Sequence, residues 1–149
     1  MVSVNKILLI NPPGKCYLRK DLTLGERKHC TPPLGLAYLA ANLLRHSYEV
    51  EVLDILAEGY QFEQVRGSFV LYGLSIEDTL ERVRRCQPDL IGLSLLFSNR
   101  GQESNEIIRS IKSEFPDVLI VLGGQHPTGL PMGSIKNPDV DFVLLGEAD

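Results

Sequence analysis

A chain of 149 residues with 44% hydrophobic and 23% charged residues can bury a conventional core as one domain and is too apolar for disorder. Fifteen Lys and Arg against nineteen Asp and Glu leave a net charge of −4, without the domain-wide basic field that nucleic-acid binding requires. Cys16, Cys30 and Cys86 are odd in number and widely spaced, and no apolar run nears the roughly 20 residues that span a bilayer, so a soluble, cytoplasmic domain without a disulfide framework is expected.

Lys6-Ile7-Leu8-Leu9-Ile10 is a continuous apolar run stopped by Asn11-Pro12-Pro13-Gly14, which reads as a buried first strand. Residues 14–30 follow, with Lys15, Arg19, Lys20, Arg27 and Lys28 outnumbering Asp21 and Glu26, and read as a mobile, solvated segment rather than a phosphate site. A helix is expected from Thr31-Pro32-Pro33, burying Leu36, Leu39, Ala40, Leu43 and Leu44 at helical spacing. Glu49-Val50-Glu51-Val52-Leu53 alternates as a strand near the sheet edge would. Residues 57–73 show no clear period and are expected to form a loop with at most one short helix.

Ser75-Ile76-Glu77-Asp78 resembles a capping box, opening a helix that Gln87-Pro88 ends. Asp89 to Leu96 is a third strand, Ile107, Ile108, Ile111 and Phe115 mark the next helix, Val118 to Leu122 is a fourth strand and Phe142 to Leu145 a fifth. Buried strands alternating with helices predict an α/β, doubly wound, five-stranded parallel sheet of flavodoxin-like (Rossmann-like) order 2-1-3-4-5. Ligands of such sheets bind beyond the carboxyl ends of the strands. That rule selects Asn11, Pro12 and Pro13, then Ser94, Leu95, Leu96 and Phe97, then Gly123, Gly124, Gln125 and His126, and finally Gly146 and Glu147.

Each of these residues also has a plain structural reading. Gly123-Gly124 lets a ligand approach backbone or simply makes a tight turn. The Ser94 hydroxyl suits a bound polar group or a neighbouring carbonyl. The His126 imidazole suits a metal, proton transfer or a phosphate, and equally the positioning of a loop. No Gly-x-Ser-x-Gly elbow, Gly-x-Gly-x-x-Gly or Walker A pattern is present, so the sequence favours neither nucleophilic catalysis nor nucleotide binding of those kinds, and Cys16, His29 and Cys30 lack structural zinc spacing.

Five segments in this order, Ile7 to Pro13 (ILLINPP), Pro33 to Ala41 (PLGLAYLAA), Pro88 to Ser94 (PDLIGLS), Leu122 to His126 (LGGQH) and Gly146-Glu147, resemble the N-terminal cobalamin (vitamin B12)-binding domain of cobalamin-dependent radical S-adenosylmethionine enzymes. The resemblance spans Lys6 to Asp149. It implies that Ser94-Leu95-Leu96 and Gly123-Gly124 flank the nucleotide tail of a cobalamin, with Ser94 bonding the tail and the glycines giving it room.

The loop after strand one, Asn11-Pro12-Pro13-Gly14-Lys15-Cys16, lacks the Asp-x-His-x-x-Gly of methionine-synthase-like domains, which implies base-off cobalamin with no imidazole from this loop. His29 and His126 are the histidines left to consider as cobalt ligands. The resemblance further implies a downstream barrel with Cys-x-x-x-Cys-x-x-Cys, a [4Fe–4S] cluster and S-adenosylmethionine, none of it in residues 1–149, so this domain would bind cofactor and catalyse nothing itself while its parent would be a methyltransferase or related enzyme. Two other readings stand beside this one: a cofactor-free docking or substrate-recognition module, and a flavodoxin-like FMN protein, for which the first loop lacks a Ser/Thr-rich phosphate cradle.

Overall fold

A computed structural model describes residues 3–146 apart from 22, 24 and 26. In chain order the elements are β1 (Lys6–Asn11), β2 (Gly14–Tyr17), α1 (Leu34–Arg45), β3 (Glu49–Asp54), α2 (Ile55–Glu58), β4 (Glu63–Arg66), β5 (Phe69–Tyr72), α3 (Ile76–Cys86), β6 (Leu90–Ser94), α4 (Gly101–Glu114), β7 (Leu119–Gly123), α5 (Gln125–Gly129), α6 (Pro131–Ile135) and β8 (Phe142–Val143).

The main sheet has the order β3-β1-β6-β7-β8, and every neighbouring pair runs parallel. Counting only these five strands in chain order gives 2-1-3-4-5, the flavodoxin-like arrangement expected from the apolar runs. β1 lies second in the sheet, and Ile7 to Ile10 are all buried, as a strand covered on both faces requires. β3 is an edge strand, with its glutamates exposed and Leu53 buried.

The two faces of the sheet are filled unequally. Leu8, Ile10, Ile91, Leu93, Ile120 and Leu122 join Leu80 and Val83 of α3 and Ile107, Ile108 and Ile111 of α4 in one large core. The α1 face holds a smaller cluster of Ile7, Leu9, Leu36 and Ala40. α3 starts where its sequence indicates, the Ser75 hydroxyl accepting the Asp78 N–H at 3.0 Å, and it ends at Gln87 in the left-handed region before Pro88. α1 begins one residue past the expected prolines, with Pro33 at its cap, and Leu44 is exposed rather than buried.

Two segments differ from expectation. Residues 57–73 are not a loop: after the short α2 they form the hairpin β4–β5, which β2 joins in a second, antiparallel sheet of order β2-β5-β4. Gly67, at φ 59°, supplies the positive angle at the first position of the two-residue turn. The start and end of segment 14–30 are also packed, not solvated. Lys15 is 8% exposed and pairs with Glu103 at 2.8 Å, and Lys28 pairs with Glu63 at 2.7 Å and lies 4.2 Å from the centre of the Tyr60 ring. The Tyr72 hydroxyl donates to the His29 carbonyl at 3.1 Å and accepts the His29 N–H at 3.2 Å, so the hairpin clamps the chain leading into α1.

Candidate functional site

The carboxyl ends of β1, β6 and β7 lie side by side, and hydrogen bonds tie their loops together. Asn11 is buried at the end of β1, where its side-chain amide donates to Asp54 Oδ1 at 2.8 Å and joins the ends of β1 and β3. Pro12 and Pro13 are buried behind it. Past β6, the Leu95 N–H donates to the Gly123 carbonyl at 2.8 Å and the Leu95 carbonyl accepts the His126 N–H at 3.1 Å.

Leu96 and Phe97 follow as exposed apolar side chains, with the Arg100 guanidinium 5.2 Å from the centre of the Phe97 ring. His126 Nδ1 lies 2.8 Å from Ser98 Oγ, a second link between these loops. The Thr128 hydroxyl donates to the Gly124 carbonyl at 2.8 Å and accepts the Gly146 N–H at 3.0 Å, which brings the chain after β8 to the same edge. Gln125 is exposed, and Glu147 lies outside the described residues.

Strand alternation builds a slot on the α1 face. Ile91, Leu93, Ile120 and Leu122 point into the large core, so Gly92, Ser94, Val121 and Gly123 belong to the opposite face, paired Gly92 with Val121 and Ser94 with Gly123. These residues are small, and Gly92, Ser94 and Gly123 remain half-buried on a sheet whose other face is sealed. A Cβ on Gly123 would meet nothing closer than Leu144 Cβ at 3.9 Å, whereas one on Gly92 would collide with Leu9 Cδ2 at 2.9 Å. The Ser94 hydroxyl makes no hydrogen bond with any described residue and faces this space.

The glycine pair divides its work. Gly123 leaves the slot open, while Gly124, at φ 108°, packs against the main chain of Leu95. Gly92, which the sequence reading passed over, borders the slot but makes room for the Leu9 side chain. Its signal was a glycine in the middle of a strand, which marks a close approach by a neighbour or a ligand.

Acid–base and metal chemistry find little footing here. Among the described residues no group of three or more His, Cys, Asp or Glu could hold a metal ion. Burial, helped by nearby Glu51, pushes the Cys86 thiol up to about 11, far from a reactive thiolate, and it sits away from the slot on α3. Cys16 is buried, its Sγ 3.7 Å from the Arg27 carbonyl, and Cys30 is exposed. The arrangement is suited to holding a large ligand across the strand ends: an apolar rim of Leu96, Phe97 and Leu144, and a narrow slot with one unengaged hydroxyl.

Sheet order and slot define a flavodoxin-like ligand-binding domain. The B12 binding domain model matches residues 21–149, and the chain belongs to that family. It is 37% identical over 147 residues to cytidylyl-2-hydroxyethylphosphonate methyltransferase of Streptomyces wedmorensis, covering 97% of this chain and 26% of the relative. It is 21% identical over 146 residues to hopanoid C-3 methylase of Methylococcus capsulatus, covering 97% of this chain and 24% of the relative. The chain thus spans about a quarter of the length of these curated relatives.

Among solved structures, a cobalamin-binding protein from Desulfitobacterium hafniense DCB-2 superposes with a TM-score of 0.53 at 15% identity, over 99% of this chain and 56% of that one. A CheY-like protein (tadZ) from Pseudomonas aeruginosa PAO1 gives 0.58 at 13% identity, over 97% and 90%. Both show the fold alone. No described helix is long and apolar enough to cross a membrane.

Proposed function

We propose that this domain holds a cobalamin with its nucleotide tail in the slot over Ser94 and Gly123 and its corrin toward the strand-end segments Asn11-Pro12-Pro13, Leu95-Leu96-Phe97, Gly124-Gln125-His126 and Gly146. The observation that carries this reading is the half-open stretch at Ser94 and Gly123, opposite the sealed core face of the sheet and within a chain of the B12-binding family. The residues fit the group. A flat nucleotide base needs backbone without side chains in its path, which Gly123 supplies, and Ser94 offers a hydrogen bond that nothing in the protein uses.

Bound there, cobalamin supplies a cobalt centre able to carry a methyl group. The chain's own part is to bind and orient. The first loop contains no histidine, so it would offer no imidazole to a bound cobalt, in keeping with the base-off mode that the resemblance implies; its Asn11 amide is held by Asp54 and its Lys15 by Glu103. Residues 1–149 then act as the cofactor domain of a longer methyltransferase whose radical S-adenosylmethionine barrel, with its [4Fe–4S] cluster, lies in the remainder of the protein. That two relatives are a methyltransferase and a methylase, each about four times longer than this chain, supports the reading.

Titration with hydroxocobalamin, followed by absorbance and by co-elution on gel filtration, tests it. A stoichiometric red species that co-elutes with the protein is the expected result. Free corrinoid eluting apart from folded protein would refute cofactor binding by this domain.

A further inference from the structure

Of the three histidines in the chain, His126 stands at the strand-end cleft with its ring held in place. His46 caps the end of α1 away from that cleft, and His29 is held by Tyr72 through its main chain, its own ring exposed and bonding no described residue. The His126 N–H donates to the Leu95 carbonyl, and its Nδ1 lies 2.8 Å from Ser98 Oγ. The residue therefore bridges the loops after β7 and β6 just beyond the Ser94–Gly123 pair. It is half-buried, and its Nε2 bonds no described residue yet is not sealed from solvent.

The Ser98 link decides what that free nitrogen offers. Ser98 Oγ bonds nothing else among the described residues, so its proton is free to donate to Nδ1. A neutral imidazole held in this way carries its own proton on Nε2 and presents a donor there rather than a lone pair. Such a donor matches an anion and mismatches a metal ion. The cations of the neighbouring loops are turned elsewhere: Lys15 is engaged by Glu103, and Arg100 lies over Phe97, beside Tyr72 and Cys16 of the second sheet.

We infer that His126 recognises the phosphodiester of the cobalamin tail, its Nε2–H donating to a phosphate oxygen while Ser98 positions the ring. The inference rests on the cobalamin reading above. With the base in the slot and the corrin toward the strand-end segments, the phosphodiester is the link that crosses between them, and His126 stands at that crossing. A hydrogen bond to a charged acceptor is worth about tenfold in affinity or more, so His126 selects corrinoids that carry the phosphate over those that lack it.

Absorbance titrations of the parent chain and of His126→Ala with hydroxocobalamin, cobinamide phosphate and cobinamide test it. Cobinamide phosphate keeps the phosphate without the base, and cobinamide keeps neither. His126→Ala is expected to weaken the first two by about tenfold or more and cobinamide by less than about twofold. Ser98→Ala keeps the imidazole but frees the ring, and should weaken the same two by about threefold; it serves as the test should His126→Ala fail to fold. Equal loss across all three corrinoids, loss for hydroxocobalamin alone, or unchanged binding of all three by the folded variant would overturn the inference and leave cobalamin binding in place. Failure of the parent chain to bind any of them would refute the cobalamin reading, and this inference with it.

Discussion

Gly124 rests against the main chain of Leu95: a Cβ placed on it would lie 2.7 Å from the Leu95 carbonyl oxygen and 2.9 Å from the carbonyl carbon. With φ at 108°, the position is also strained for any side chain. Gly124→Val should therefore destabilise the fold itself, by about 2–5 kcal/mol from backbone strain and overpacking together. Gly123→Val should keep the parent's melting temperature within a few degrees, since only Leu144 Cβ lies near, yet weaken hydroxocobalamin at least tenfold by filling the slot. Thermal melts alongside absorbance titrations separate the two. A stable Gly124→Val variant would show that the loop relaxes, and a Gly123→Val variant with parental affinity would place the tail elsewhere.

Ser94→Ala isolates a single hydroxyl. Because that hydroxyl bonds no described residue, its loss should leave the melting temperature unchanged. Cobalamin affinity should drop about fivefold, the worth of one neutral hydrogen bond of about 1 kcal/mol. Isothermal calorimetry resolves such a change, and equal affinity would remove Ser94 from the site.

The five parallel strands were legible because burial on both faces makes each central one a continuous apolar run, as Ile7 to Ile10 and Ile120 to Leu122 show. The antiparallel sheet was not. β4 and β5 are four residues long, β4 is mostly exposed, and its charges Glu63 and Arg66 find partners far along the chain in Lys28 and Glu106. The one local signal was Gly67-Ser68 between Arg66 and Phe69, a two-residue hairpin turn. Lys15 looked solvated for the same reason, since its partner Glu103 is 88 residues away. The two glycines of Gly123-Gly124 are alike in sequence, and only the nearness of the Leu95 backbone tells a packing position from an open one.

Tyr72 holds the segment entering α1 through two hydrogen bonds to His29, and its ring fills the space where a Cβ on Gly14 would sit, 2.2 Å from Tyr72 Cζ. Tyr72→Phe keeps the ring and loses both bonds, so it should cost about 1–3 kcal/mol and expose Arg27 and Lys28 to trypsin at a raised rate. Gly14→Ala should be worse, because a ring only 2% exposed must move. Unfolding in urea with timed proteolysis tests the order. Equal stability of Tyr72→Phe and the parent would mean that the clamp contributes nothing.

The Lys15–Glu103 pair, 8% and 3% exposed, ties β2 to the first turn of α4. Removing one partner strands the other charge in the interior, so Lys15→Met should destabilise by about 3–5 kcal/mol. The double replacement Lys15→Met with Glu103→Leu should recover most of that loss, because two desolvated charges are exchanged for apolar contact. A double-mutant cycle in urea tests this. Additive single and double effects would show that the two groups do not act as a pair.

Asp89 anchors the other end of the sheet. Its Oδ2 accepts the main-chain N–H groups of Asn5 and Lys6, each at 2.8 Å, just before β1. The bond from Lys6 and then that from Asn5 hold its carboxyl below the ordinary carboxylate range. A depressed folded-state value means that folding favours the ionised form. The stabilisation is therefore complete above the unfolded-state value of about 4, and it is lost as the pH falls through the lower folded-state value. Glu114 is also depressed, by Arg84, so the parent alone would show a composite acid transition. Subtracting the stability of Asp89→Asn from that of the parent, pH by pH in urea, isolates the one carboxylate. The difference should be constant from about pH 7 to 5 and shrink below about pH 4. A difference that persists undiminished to pH 2.5 would mean that the ionised carboxylate is not what those two N–H groups require.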